Sequence, residues 1–413
     1  MGKYLNPGNE AFTTIVNGDY IDKSGVIEII NRTINTSNKL TCISRPRRFG
    51  KSFTANMLCA YYDCSCDSHN LFDELKISKS ETYEEYLNKY NVVLVDVTGF
   101  TSTVKQTNGK KNISEVPEMI ANAIREDIIE SCPQLTKYTK LEDCLYEFVK
   151  ITGRKIVFII DEWDALIREA KDDNKTQEAF LNMLRGLFKN SNFTPYVVAA
   201  AYMTGILPIK KDGSQSAISD FEEYTILDPA VFTKFTGFTE DEVREICSIN
   251  NMSFDDAKNW YDGYSFGDVS IYNPYSVMTA MKRKKYRSYW RKTSAADSLE
   301  TYVNMDFDGL KEDVIRLISG EKIEVSTFGF ANDFRSFKSK DDVLTLMIHL
   351  GYLTYDEENE LAFIPNEEVR SEFIKLLENG EQTRLAELII DSKKLLSDTI
   401  SGNEESVALA IEK

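Results

Sequence analysis

Short apolar runs alternate with longer amphipathic stretches through residues 1–235. The runs begin at Leu40, at Asn91 (Asn-Val-Val-Leu-Val-Asp96), at Arg154 (Arg-Lys-Ile-Val-Phe-Ile-Ile-Asp-Glu162) and at Tyr196 (Tyr-Val-Val-Ala-Ala-Ala-Tyr-Met-Thr204). Each is continuous rather than alternating, which suits a strand buried on both faces of a parallel sheet. Residues 223–227 give a fifth strand candidate. Between them, 25–35, 53–62, 115–131, 141–151 and 174–189 carry helical spacing, and the polar stretch 102–114 predicts an exposed loop. Strands separated by helices imply an α/β fold with helices on both faces of the sheet.

The pattern changes after residue 235. Thr239 with Glu242 three positions later predicts a capped helix over 239–250. Aromatic-rich turns follow at Trp260-Tyr-Asp-Gly-Tyr-Ser-Phe-Gly267 and Tyr272-Asn-Pro-Tyr-Ser276. Farther on, 341–350 predicts a helix ended by Gly351, and two apolar segments flank the polar turn 356–360. A helix followed by such a hairpin suggests a small winged-helix-like module. The expected organisation is a core over 1–235, a mostly helical lid-like region over 236–335, and the winged module with C-terminal helices over 336–413.

Composition narrows the class. The 413 residues are 42% hydrophobic and 11% aromatic, enough for a folded core in two or three domains. No apolar run approaches a membrane span and the N-terminus lacks a signal-peptide core, so a cytoplasmic protein without a membrane partner is expected. Seven cysteines without a C-x-x-C pair, beside only His69 and His349, argue against a zinc site and for reduced thiols. The net charge of −17 opposes bulk coating of nucleic acid. One local exception is 282–292, where bases interleave with Tyr286, Tyr289 and Trp290. The weighed alternative there is a solvated helix end whose aromatics pack inward.

The chemistry concentrates at Arg45-Pro46-Arg47-Arg48-Phe49-Gly50-Lys51-Ser52-Phe53. An apolar run, a loop ending in Gly-Lys-Ser, and then a helix form the layout of a phosphate-binding loop. Backbone N–H groups and a helix N-terminus would wrap the phosphates of a nucleotide, Lys51 would reach the β/γ oxygens, and Ser52 would hold Mg²⁺. Arg45 stands where the usual pattern has glycine. Asp161 ends the most apolar run, where a further Mg²⁺ carboxylate is expected, and Glu162 follows as a general base for water. Thr204, ending the next run, would sense the γ-phosphate or position the water. That order fits a P-loop NTPase: a three-layer parallel sheet of the type with an additional strand and a catalytic glutamate.

Each element has a plainer reading. An Asp-Glu at a strand end is often a helix cap, and Thr204-Gly205 is compatible with a turn. Arg45, Arg47 and Arg48 would either stabilise the γ-phosphate in cis or brace the loop against acidic neighbours such as Asp161 and Asp164. Arg185 is a weaker candidate of the same kind, more simply read as a surface residue.

With these residues in place, the chain resembles the bacterial AAA-ATPase-like family, whose loop carries the same Arg-Pro-Arg-Arg-Phe run. Tyr20-Ile-Asp-Lys23, Asp161-Glu-Trp-Asp164, Thr204-Gly205, Thr236-Gly-Phe-Thr-Glu-Asp-Glu-Val243, Trp260-Tyr-Asp-Gly-Tyr264, Tyr272-Asn-Pro-Tyr-Ser276, Gly351-Tyr-Leu and Ile364-Pro-Asn-Glu-Glu-Val369 also resemble it. Trp163 stands where the family commonly has tyrosine. The resemblance implies an ATP- and Mg²⁺-dependent ATPase of the AAA and STAND type. Members often end in a PD-(D/E)xK nuclease-like domain, but no Asp…Glu-x-Lys pair is evident after residue 370, so nuclease activity is not expected. The functional expectation is an ATPase acting as a nucleotide-driven switch, with a protein partner or a second copy of itself. The alternative is a DNA-binding or scaffold protein with a vestigial nucleotide site; the acidic turn 356–360 would repel phosphate and counts against DNA.

Overall fold

The computed structural model describes residues 2–106, 112–209, 218–266, 269–290, 303, 307–330, 337, 339–376, 391–392, 395 and 398–411. It divides into two compact units, the first comprising Met1–Gly237 and the second beginning at Phe238.

In the first unit, five strands form a wholly parallel sheet: β1 (Leu40–Ser44), β2 (Asn91–Asp96), β3 (Ile156–Asp161), β4 (Val198–Gly205) and β5 (Glu222–Tyr224). Their spatial order is β2-β3-β4-β1-β5. β4 therefore lies between β1 and β3, which is the additional-strand arrangement of a P-loop NTPase. All residues of β1, β3 and β4 are buried, as their unbroken apolar character requires. Each large aliphatic side chain so placed contributes about 1.5–3 kcal/mol of transfer free energy.

Two apolar layers sandwich this sheet. One gathers Phe158, Ile160, Trp163 and Met203 with the helices Val116–Ser131, Leu141–Thr152 and Asn174–Phe188. The other gathers Ile43, Val157, Ile159 and Tyr202 with the helices Gly25–Asn31 and Lys51–Tyr62. The outer edge of β2 is partly covered by the N-terminal segment, where Leu5 bridges Val93 antiparallel. Such cover keeps an edge strand from recruiting another chain.

Two expectations change. The helix Val97–Gln106 runs into the stretch 102–114, because Val97, Phe100, Thr101 and Val104 form a buried stripe that outweighs the polar residues between them. Residues 107–111 lie outside the described residues. The run 196–204 starts as a helical turn, Thr194–Val197, with Pro195 in its first turn, before extending into β4.

In the second unit, Thr239 and Glu242 close the expected capping box of the helix Glu240–Asn250: Glu242 N–H donates to Thr239 Oγ1 and Thr239 N–H to Glu242 Oε2. β6 (Phe238–Thr239), β7 (Tyr264–Phe266) and β8 (Val269–Tyr272) make a small antiparallel sheet in the order β6-β8-β7. The helix Lys340–Leu350 ends at Gly351, whose φ is +83°. It leads into a hairpin of β10 (Thr354–Asp356) and β11 (Leu361–Phe363), and β11 also pairs with β9 (Ile323–Glu324).

The basic run 282–292 takes the plainer of its two readings over the described residues. Tyr286 and Tyr289 lie 6.1 and 6.5 Å from the ring of Tyr261, and Trp290 lies 5.7 Å from Tyr352. Buried Glu368 accepts the backbone N–H groups of Tyr289 and Trp290, which fixes the segment to the unit. Lys282, Arg283, Lys284, Lys285 and Arg287 remain exposed, while the aromatic rings belong to the unit's own packing. Among the described residues no helix is long and apolar enough to cross a membrane.

Candidate functional site

Strand order and register assemble the site. Ser44 faces Gly205 and Ile43 faces Thr204 across β1 and β4, while Ile160 faces Met203 across β3 and β4. The loop after β1, Thr204 near the end of β4 and Asp161 at the end of β3 therefore meet at one sheet edge. The carboxyl ends of parallel strands are where ligands of such folds bind.

The loop turns into its helix through two left-handed residues, Arg48 (φ +71°) and Gly50 (φ +85°). Gly50 tolerates this at no steric cost, whereas Arg48 carries strain of the order of 1–3 kcal/mol. Gly50 is also the N-cap of the helix Lys51–Tyr62, so that helix's first N–H groups, with no partner inside the helix, point into the loop. Lys51 is 4% exposed, and its Nζ donates to the carbonyls of Arg45 (3.1 Å) and Pro46 (3.0 Å). Ser52 and Phe53 are exposed on the first turn, whereas Phe49 and Pro46 are buried beneath the loop.

Arg45 shows what replaces the missing glycine. Its side chain is wholly buried: Nε donates to Thr236 Oγ1 (2.9 Å), and Nη1 to the carbonyls of Ser44 (2.9 Å) and Tyr224 (2.8 Å). Its backbone N–H donates to Gly205 O. Burial pulls the guanidinium pKa down to about 10, which leaves it cationic at neutral pH. Arg45 thus ties the phosphate loop to β5 and to the segment carrying Thr236. These hydrogen bonds to a threonine and backbone carbonyls hold the loop from beneath, where bracing against acidic neighbours such as Asp161 and Asp164 was the expectation. Asp164 is paired instead with Arg168 (Nε to Oδ2, 3.0 Å). Arg47 and Arg48 are half-buried on the loop, and Arg185 is exposed on its helix.

Asp161, Glu162 and Thr204 form one hydrogen-bonded group. Thr204 Oγ1 donates to Asp161 Oδ1, and the Glu162 N–H donates to Asp161 Oδ1 (3.1 Å) and Thr204 Oγ1 (3.4 Å). Thr204-Gly205 is extended strand rather than a turn. A Cβ on Gly205 would lie 2.7 Å from Trp163 Nε1 and 2.9 Å from Asp164 Oδ1, so glycine makes room for the fully buried Trp163. Glu162 has a left-handed backbone (φ +52°), rare for a non-glycine residue, which turns its side chain back across the strand ends. Glu162 Oε1 lies 3.4 Å from Lys51 Nζ, and Oε2 accepts from Arg168 Nη2 at 2.8 Å. Burial opposes ionisation of Glu162, but the charges of Lys51, Arg168 and Arg47 outweigh it and hold its carboxyl below the usual range.

Lys51, Asp161, Glu162 and Thr204 are thus brought together. Ser52 shares the helix start with Lys51, while the side chains of Arg45 and Phe49 turn into the protein. Two polar residues here escaped the sequence reading. Arg168 had a signal, an i, i+4 spacing from Asp164 across a helix start. Asp96 ends β2 as Asp161 ends β3, and the two are register partners; burial first and then the Asp161 charge raise its pKa. Among the described residues no cluster of three or more His, Cys, Asp or Glu side chains is arranged to hold a metal by itself. A metal at this site would rely on Ser52, Asp161 and phosphate oxygens together, the usual habit of Mg²⁺ with nucleotides.

Among known proteins, one similar chain is from Azotobacter chroococcum mcd 1, described as an uncharacterized protein in the vnfD 5′ region. It is 21% identical over 299 residues, 70% of this chain and 54% of that protein. This chain therefore spans about half the length of that curated relative. Among solved structures, the Aeropyrum pernix ORC2 protein (ADPNP and ADP complexes) is 10% identical with a TM-score of 0.41, covering 92% of this chain and 98% of that one. DnaA from Aquifex aeolicus bound to AMPPCP is 10% identical with a TM-score of 0.28, covering 94% and 97%. Residues 7–214, half of the chain and including the ends of β1, β3 and β4, match the family described as "Predicted AAA-ATPase", and this protein belongs to that AAA-ATPase-like family of nucleotide-binding, ATPase-type proteins.

Proposed function

We propose that this chain is a Mg²⁺-dependent ATPase that works as a nucleotide-driven switch. The observation that carries the reading is the convergence of Lys51, Asp161, Glu162 and Thr204 at the ends of three adjacent parallel strands. The left-handed Gly50 and the helix start behind it supply the N–H donors for phosphate oxygens. Lys51 leaves the carbonyls of Arg45 and Pro46 for the β/γ-phosphate oxygens of ATP. Mg²⁺, held by Ser52 and Asp161, would neutralise charge on the same oxygens.

Glu162 accepts a proton from the attacking water as its oxygen bonds to the γ-phosphorus. The bond from that phosphorus to the β,γ-bridging oxygen breaks, releasing ADP and phosphate. Thr204, already bonded to Asp161, positions the water or senses the γ-phosphate. Arg45 keeps the loop in shape from below, and Arg47 and Arg48, on the same loop, would add positive charge for the phosphates. The second unit, which we read as a lid-like helical region and a winged-helix-like module, is the part that would respond to nucleotide and engage a protein partner or a second copy. The wild-type protein should gain thermal stability with ATP and Mg²⁺, and Lys51→Ala should not. No ATP-dependent shift in wild type would refute nucleotide binding as the basis of function.

A further inference from the structure

Glu162 presents two chemically different oxygens. Oε2 is anchored by Arg168 at 2.8 Å in a charge-assisted hydrogen bond, while Oε1 meets Lys51 at a looser 3.4 Å. Lys51 has other partners in the carbonyls of Arg45 and Pro46, and phosphate would be a stronger one. Arg168 pairs with the carboxylates of Glu162 and Asp164, and its side chain is only 13% exposed.

Arg168 is itself held in place. The helix Ala165–Glu169 starts directly after Asp164, and the Arg168 backbone N–H donates to Asp164 O. One turn of helix thus stacks the Arg168 side chain on the Asp164 carboxylate, with Nε donating to Oδ2. Asp164 Oδ2 also accepts the backbone N–H groups of Leu207 (3.1 Å) and Ile206 (3.3 Å), just past the end of β4. A continuous set of hydrogen bonds therefore runs from the chain after Thr204 through Asp164 and Arg168 to Glu162.

We propose that Arg168 is the positioning residue of the ATPase site. It fixes Glu162 Oε2 so that Oε1 is the atom that takes the proton from water once Lys51 has moved to phosphate, and it ties that orientation to the exit of β4. This inference rests on Glu162 being the general base. Acting through Glu162 rather than on nucleotide, Arg168 should lower kcat when removed and leave ATP binding alone. A misplacement of about 1 Å at a reacting group can cost on the order of 100-fold in rate.

The test measures steady-state ATP turnover and ATP affinity for Arg168→Gln, Arg168→Lys, Glu162→Gln and the double variant Arg168→Gln/Glu162→Gln. The expected result for Arg168→Gln is a kcat lower by about 10- to 100-fold with KM for ATP within about twofold of wild type. Arg168→Lys should retain the ion pair with Asp164 and restore part of the rate. The double variant should be no slower than Glu162→Gln alone, because a residue acting only through Glu162 has nothing left to position. Should Arg168→Gln fail to fold, Arg168→Lys carries the test, with kcat reduced at an unchanged melting temperature. Wild-type kcat in a folded Arg168 variant, or a double variant slower than Glu162→Gln, would overturn the inference while leaving the base assignment intact. Wild-type turnover by Glu162→Gln would overturn both.

Discussion

The ammonium of Lys51 and the Oε1 carboxylate oxygen of Glu162 lie 3.4 Å apart, so the lysine expected to hold phosphate and the glutamate expected to activate water neutralise one another. At that separation two unit charges attract by roughly 4–5 kcal/mol at an effective dielectric near 20, before desolvation is subtracted. ATP must compete with this pair for Lys51. Glu162→Gln removes the competition, so it should bind ATP as tightly as wild type or up to about tenfold tighter, equivalent to about 1.4 kcal/mol. Isothermal titration calorimetry in the presence of Mg²⁺ measures this directly.

Lys51→Ala should behave in the opposite way. It removes the buried ammonium that reaches the loop carbonyls and leaves Glu162 with Arg168 as its hydrogen-bonded partner. ATP affinity should fall by at least about 100-fold, the scale of a lost charge-assisted contact worth near 3 kcal/mol. The same titration checks it, with circular dichroism to confirm that the fold persists.

Arg45→Gly restores the more common loop sequence and should nevertheless harm the protein. It leaves Thr236 Oγ1 and the carbonyls of Ser44 and Tyr224 without their donor and opens a cavity beneath the loop. A loss of about 3–5 kcal/mol is expected, the range for removing one member of a buried polar set. Denaturant unfolding of the two proteins provides the measurement, and improved stability in Arg45→Gly would contradict the bracing role.

Gly263→Ala should be severe in the second unit. Gly263 has φ +102°, and a Cβ there would lie 2.1 Å from the carbonyl oxygen of Pro365. The neighbouring Asn366 Nδ2 donates to Asp262 O, so the 260–264 and 364–369 motifs meet backbone to backbone. Unlike a surface Gly→Ala change, this one has no room to relax, and a loss above about 2 kcal/mol is expected. Thermal unfolding of the variant tests it.

Much of this organisation was legible in the sequence because buried parallel strands announce themselves. Asn91–Asp96 is read from its apolar run to the residue, and the Asp161-Glu162 pair falls where that run logic puts it. Legibility failed where long-range pairing decides the outcome. No local pattern told whether Arg45 would face phosphate or protein, since its partner Thr236 lies 191 residues away. The helix through 102–106 was hidden for a related reason: its apolar stripe is thin and depends on the sheet it covers. Arg168 was visible only as a spacing, and its importance emerged once Glu162 was seen in a left-handed conformation reaching back toward it.

Hydrolysis of ATP at this site with Glu162 as base is checked by measuring phosphate release from Mg-ATP by wild type and Glu162→Gln side by side. Wild type should turn over measurably, and Glu162→Gln should be slower by about 100- to 10,000-fold, the usual contribution of a general base. Equal rates in the two proteins would contradict it.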